Sequence, residues 1–148
     1  MRILSALFAY GLCLIALSGC SMAHTPPVGH WEGTYEAPDL MAVIRLEISP
    51  KGEIFLSAPD AVDIQNTSAD DRPAMRQKLA DELAAGWGSV QSRPFDFDGR
   101  VFRKPGGIAP QLEWNPDSKQ MTAVLYFGMR PALRVPLRQV ESFSTDPW

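Results

Sequence analysis

Ala42-Val43-Ile44-Arg45-Leu46-Glu47-Ile48-Ser49-Pro50-Lys51-Gly52-Glu53-Ile54-Phe55-Leu56-Ser57-Ala58 is the stretch that decides the fold. Ala42, Ile44, Leu46 and Ile48 alternate with Val43, Arg45, Glu47 and Ser49, the period of two that turns one side of a strand toward a core. Ser49-Pro50-Lys51-Gly52 then supplies a turn, with φ preset at Pro50 and positive φ open to Gly52. Residues 53–58 therefore return as the partner strand of a hairpin. Upstream, residues 31–36 alternate bulky with polar in the same way. Downstream, Phe95 and Phe97 run into Asp98-Gly99, a two-residue hairpin signal that predicts Phe95 opposite Phe102. Residues 111–114, 121–127 and 133–140 read as further strands, parted by Lys104-Pro105-Gly106-Gly107, Asn115-Pro116-Asp117 and Arg130-Pro131. About eight strands, mostly neighbours in sequence, predict a mainly β fold: a small antiparallel barrel or half-barrel in meander order. Pro136 cannot donate to a ladder, which places it at a sheet edge or a bulge.

Residues 59–92 interrupt the meander. Ser68-Ala69-Asp70-Asp71 resembles a capping box, Met75, Leu79 and Leu83 recur four apart, and Gly86 can stop a helix. Arg76, Gln77, Lys78, Asp81 and Glu82 leave its other side wet. One amphipathic helix over about 68–86 is expected, with the Met and Leu stripe plugging an open end of the barrel. A lid over a ligand pocket and a surface for a partner are the other roles such a helix could take.

At the N-terminus, Arg2 precedes an uncharged, almost unbroken apolar run over residues 3–17, the pattern of an export signal. The run is short for a bilayer, which asks for about 20 residues of helix. Leu17-Ser18-Gly19-Cys20 resembles the bacterial lipobox, in which cleavage falls between Gly19 and Cys20 and the Cys20 sulfur takes the lipid; Ser21-Met22-Ala23 as an ordinary small-x-small cleavage site, leaving a soluble periplasmic protein, and a leader retained as an anchor are the alternatives. The resemblance implies a lipoprotein held on a membrane by several acyl chains. Ser21, with no acidic residue just after Cys20, is similar to the pattern of lipoproteins passed to the outer membrane, facing the periplasm. The expected organisation is a signal peptide over 1–19, a lipidated tether over 20–29, a β-domain over 30–141 and a tail over 142–148. Cys13 leaves with the leader and Cys20 is spent on lipid, so the domain must stand on packing rather than on a disulfide.

With four Trp, seven Phe and three Tyr, the chain has ample apolar bulk for one packed domain. The formal charge of −3, about −4 once Arg2 is lost with the leader, argues against nucleic acid as a partner.

Gly29-His30-Trp31-Glu32-Gly33 resembles the Gly-x-Trp-x-Gly opening of lipocalin-like small barrels, where the Trp plugs the barrel base. Pro38, the Ile44-Leu46-Ile48 strand, Lys51-Gly52, Ser57-Ala58-Pro59-Asp60, the Phe95 to Phe97 segment and Arg134-Val135-Pro136-Leu137 extend the likeness to the lipocalin-like β-domain that precedes the catalytic domain of some exported bacterial α/β-hydrolases. The segment over 61–92 is longer here. The resemblance implies a lipocalin-like fold with accessory character and no functional residue apart from the lipobox Cys20.

No Gly-x-Ser-x-Gly elbow marks a serine hydrolase. The two histidines, His24 and His30, fall in the tether and at the mouth of the first strand, short of a metal-ligand set. Asp96-x-Asp98-Gly99 lacks the remaining oxygens of a calcium loop and reads as a turn. Asp60 with Asp63, and Asp70 with Asp71, read as turn acceptors and helix cap rather than acid-base pairs. Arg134 and Arg138, with Arg130 before them, form either a basic ridge for an anionic partner or a device keeping an edge strand soluble. Trp31, Met75, Leu79, Leu83, Trp87, Trp114 and Tyr126 are the candidates for lining a core or an apolar ligand site. The expected function is non-catalytic: an anchored β-domain that binds a protein or envelope component, or alternatively a carrier of a small apolar or lipid ligand. No cofactor is expected.

Overall fold

A computed structural model of the chain describes residues 24–86, 92–126 and 132–148. Among these residues ten strands pair antiparallel in one sheet: β1 (Gly29–Glu36), β2 (Leu40–Ile48), β3 (Ile54–Ser57), β4 (Val62–Asp63), β5 (Ser92–Arg93), β6 (Asp96–Phe97), β7 (Val101–Arg103), β8 (Pro110–Asn115), β9 (Gln120–Leu125) and β10 (Leu133–Val140). The order is β5-β3-β2-β1-β10-β9-β8-β7-β6, with β4 beside β2. Eight of the strands form an open half-barrel that turns 251° round its axis. The sheet borders, β5 and β6, are two residues each and are joined through Pro94 and Phe95, so the chain itself crosses the open seam. The expected hairpin forms with Ile48 opposite Ile54 and Leu46 opposite Leu56. β4 and β5 are too short to show a period of two, and sequence reading passed over them.

The inward face is apolar. Trp31, Ile44, Leu46, Ile48, Ile54, Phe102, Leu112, Met121, Ala123, Val135 and Leu137 form one buried cluster, and Trp31 and Phe102 are 2 % and 0 % exposed. Burial of such side chains contributes about 1.5–3 kcal/mol each before entropy is charged against it. Gly33 lies where β1 and β10 approach most closely: a Cβ there would run into the Pro136 carbonyl oxygen and Leu137.

The helix α1 (Arg72–Gly86) does not plug the barrel. Leu79 and Leu83 pack with Met41 and Val43 of β2 and with Ile64, and Met41 and Val43 point away from the inward-facing Ile44 and Leu46. The helix therefore backs the outward side of β2, which explains why nearly all of that strand is buried. It begins at Arg72, and the Ser68-Asp71 pair closes the turn before it: Ser68 Oγ donates to Asp71 Oδ2 at 2.6 Å and accepts from Asp71 N at 3.2 Å. Leu133–Val140 is no edge strand either, since β10 lies between β1 and β9. Pro136 is accommodated because pairing with β1 runs only from Val140 to Arg138, leaving its missing N–H without a ladder to break.

At the β6-β7 turn the pairing is shifted from expectation by two residues, as the centre of the turn moves by one. Phe97, not Phe95, lies opposite Phe102, and the two rings stack at 4.2 Å. The cause is Asp98, whose Oδ1 accepts from the Arg100 and Val101 N–H groups at 2.9 and 2.8 Å, moving the centre of the turn to Gly99-Arg100. Gly99 takes φ +95°, which a side chain would resist.

Candidate functional site

Alternation along antiparallel strands sorts the turns into two ends. Gly29, Ile48 and Ile54, Phe97 and Phe102, Asn115 and Gln120, and Val140 all lie toward one end of the half-barrel. The turns at 49–52, 98–101 and 115–120 therefore share the end at which β1 begins, called here the tether end. The loops at 37–39 and 104–109 share the opposite, distal end.

The residues before β1 lie against the tether end. A Cβ at Gly99 would sit 2.7 Å from His24 Nδ1, and one at Gly52 would sit 3.7 Å from Pro26 Cγ. Trp31 Nε1 donates to the Pro27 carbonyl at 3.3 Å, and Gln139 Nε2 donates to the Val28 carbonyl at 3.0 Å. Between this segment and the turns opens a cleft of about 680 Å³ lined by His24, Thr25, Asp98, Arg100, Trp114 and Pro116 among others. Asp98 is held low, to about 2, by hydrogen bonds from Arg103 first and then from the Arg100 and Val101 N–H groups. It stays an anion tied to Arg103 at 2.6 Å. Arg100 enters no ion pair among the described residues.

A second polar cluster lies on the outward face beside the helix. Glu32 is 0 % exposed and sits directly across from Arg45 on β2 and Arg138 on β10. Arg138 Nη2 donates to Glu32 Oε1 at 2.7 Å, Ser144 Oγ donates to the same oxygen at 2.7 Å, and Ser144 N donates to Oε2 at 3.1 Å. Burial pushes the Glu32 carboxyl up, but the Ser144 and Arg138 hydrogen bonds outweigh it and leave it below the usual carboxylate range. Arg45, 4 % exposed, keeps 3.7 Å from Glu32 and lies 5.3 Å below the Phe143 ring. Its Nε and Nη2 are buried without a hydrogen-bond partner among the described residues, and burial lowers its pKa against the pull of Glu32. The tail roofs this cluster: Pro147 O accepts from Arg138, and Trp148 packs on the helix cluster with Arg76 5.8 Å from its ring. Arg72 and Arg76 bind Glu36 at 3.1 and 2.7 Å, fastening the helix to β1.

The structure separates the residues singled out from sequence. Trp31 and Trp114 meet edge to face at 5.7 Å within the barrel core, whereas Met75, Leu79 and Leu83 lie on the other side of the sheet. None of the three lines the cleft at the tether end. Tyr126 is 47 % exposed at the distal end, its hydroxyl donating to the Pro110 carbonyl at 2.9 Å. Beside it the 104–109 loop carries Ile108, 92 % exposed. Gly19, Cys20, Trp87 and Arg130 fall outside the described residues. Arg134 and Arg138 form no free ridge, because Arg134 grips Glu113 with two bonds of 2.7 and 2.8 Å while Arg138 serves Glu32. His30 meets the Glu141 carbonyl at 3.1 Å, Glu47 at 3.8 Å and the Phe143 ring at 4.9 Å.

Sequence reading missed both polar sites. The signal for the outward cluster was present, since Glu32 and Arg45 stand at alternate positions of two paired strands. The cleft depends on register and on the path of residues 24–28, which no local pattern encodes. Comparison with protein-family models, with curated proteins and with solved structures gave no match for this chain. What the geometry defines is an antiparallel β half-barrel backed by one helix.

Proposed function

We propose that this protein is an envelope lipoprotein, lipidated at Cys20 and facing the periplasm from the outer membrane, whose lipocalin-like β-domain binds a protein or envelope component without catalysis. The observation that carries the non-carrier half of this reading is the filled interior. Trp31, Phe102, Leu46 and Ile54, each at most 2 % exposed, occupy the space in which a lipocalin-like carrier would hold its ligand. The distal end offers the contact surface, because Ile108 and Tyr126 expose apolar area there.

The alternative, a carrier of a small apolar or lipid ligand, has the cleft at the tether end in its favour, which exceeds the roughly 300 Å³ at which ligand sites begin. Its lining sets His24, Thr25, Asp98 and Arg100 beside Val101, Trp114 and Pro116, which suits a ligand with both a polar and an apolar part.

Native mass spectrometry of the protein purified from its host envelope separates these readings. A mass equal to the polypeptide from residue 20 plus acyl chains, with no further small molecule, supports the contact module. A stoichiometric apolar adduct would overturn it in favour of the carrier, and a chain beginning at residue 24 without lipid would remove the anchor.

A further inference from the structure

We propose that the tether end of the half-barrel, the rim made by the turns at 49–52, 98–101 and 115–120, is a membrane-contact surface that lies flat against the bilayer holding the acyl chains of Cys20. The inference deepens the lipoprotein reading and rests on it. Two observations carry it, the length of chain left over and the path that chain takes.

His24 is the first described residue, four positions after Cys20, and an extended chain spans at most about 3.6 Å per residue. The His24 Cα is therefore within about 14 Å of the Cys20 Cα. A free spacer running on to Gly29 would more than double that reach and let the domain tumble. Instead His24 rests on the Gly99 turn, Pro26 on the Gly52 turn, and Pro27 and Val28 are hydrogen-bonded to Trp31 and Gln139. The described chain thus begins at this rim, and a link of that length brings this rim nearer the lipid than the distal end.

The rim's chemistry fits the surface of a bilayer. Each turn carries one exposed cation, Lys51, Arg100 and Lys119, and none of the three is in an ion pair among the described residues. Asp98 is neutralised by Arg103 and Glu47 lies 3.8 Å from His30, which leaves Glu53, Asp117 and Glu141 as the opposing carboxylates. Three cations against three carboxylates leave the rim balanced in charge, so the contact rests on where the chain is anchored, and a cation that reaches an anionic headgroup adds about 1 kcal/mol. The distal end, by contrast, stands up to about 26 Å away, the length of the eight-residue β1.

The test uses the full-length lipoprotein in vesicles of phosphatidylethanolamine and phosphatidylglycerol containing a lipid with a nitroxide on its headgroup. A fluorophore is placed on Lys51→Cys, Asp117→Cys or Ile108→Cys, and mass spectrometry of each sample reads the lipid on Cys20. The expected result is loss of most of the emission at positions 51 and 117 and its retention at 108. Equal loss at all three, or none at 51 and 117, on a lipidated chain overturns the rim proposal while leaving the anchor standing. An unlipidated Cys20 overturns both.

Discussion

The two sides of β2 are built on opposite principles. Inward, Ile44, Leu46 and Ile48 join a cluster made wholly of apolar side chains. Outward, Met41 and Val43 are covered by a helix, and two positions further along the same strand Arg45 sits among Glu32, Arg138 and Ser144 under the C-terminal tail. An apolar face tolerates loss of one member in proportion to the volume removed. A buried ionic face does not, because each member neutralises another. The inward side therefore supplies stability, and the outward side fixes how helix and tail are seated.

Leu79→Asp puts an unpaired charge at a fully buried position between α1 and β2 and is expected to cost about 5 kcal/mol, enough to unfold the domain in a thermal melt. An unchanged melting temperature would show that the helix is not packed there. Glu32→Ala strands Arg45 and is expected to cost about 3 kcal/mol by urea titration. Adding Arg45→Met should recover most of that loss, a rescue that a purely steric role for Glu32 would not give. Because the folded Glu32 pKa lies below its ordinary value, its contribution is complete above the usual carboxylate range and is lost as pH falls through the folded value. Stability measured across that acid window should fall more steeply for the native chain than for Glu32→Gln. Trp148→Ala, which uncovers the half-buried join between tail and helix, should cost about 2 kcal/mol. Arg134→Ala removes an exposed pair with Glu113 and should shift stability by less than about 1 kcal/mol.

The barrel was legible wherever a strand ran long enough to show its alternation, as in β1, β2, β9 and β10. It was illegible where a strand had two residues, as in β4 and β5, or where a side chain reset a turn, as Asp98 did. The Met75, Leu79 and Leu83 stripe announced that a helix face is buried but held no information on which surface covers it. Here that surface was the outward side of β2, half-visible in Val43 at a position where a solvated face would carry a polar residue. The ionic cluster needed three strands and the tail to be brought together, contacts that span 106 and 112 positions of sequence for Arg138 and Ser144 with Glu32.

The seam of the half-barrel has a further consequence. A sheet that stops short of closure ordinarily leaves two long rows of vacant N–H and C=O groups, on which copies could stack into fibres. Here the bordering strands are two residues long, and Pro94 sits in the chain between them. Among the described residues, a neighbouring copy would find only two-residue strands to pair with at either border. Such brevity would let many molecules crowd side by side and remain separate.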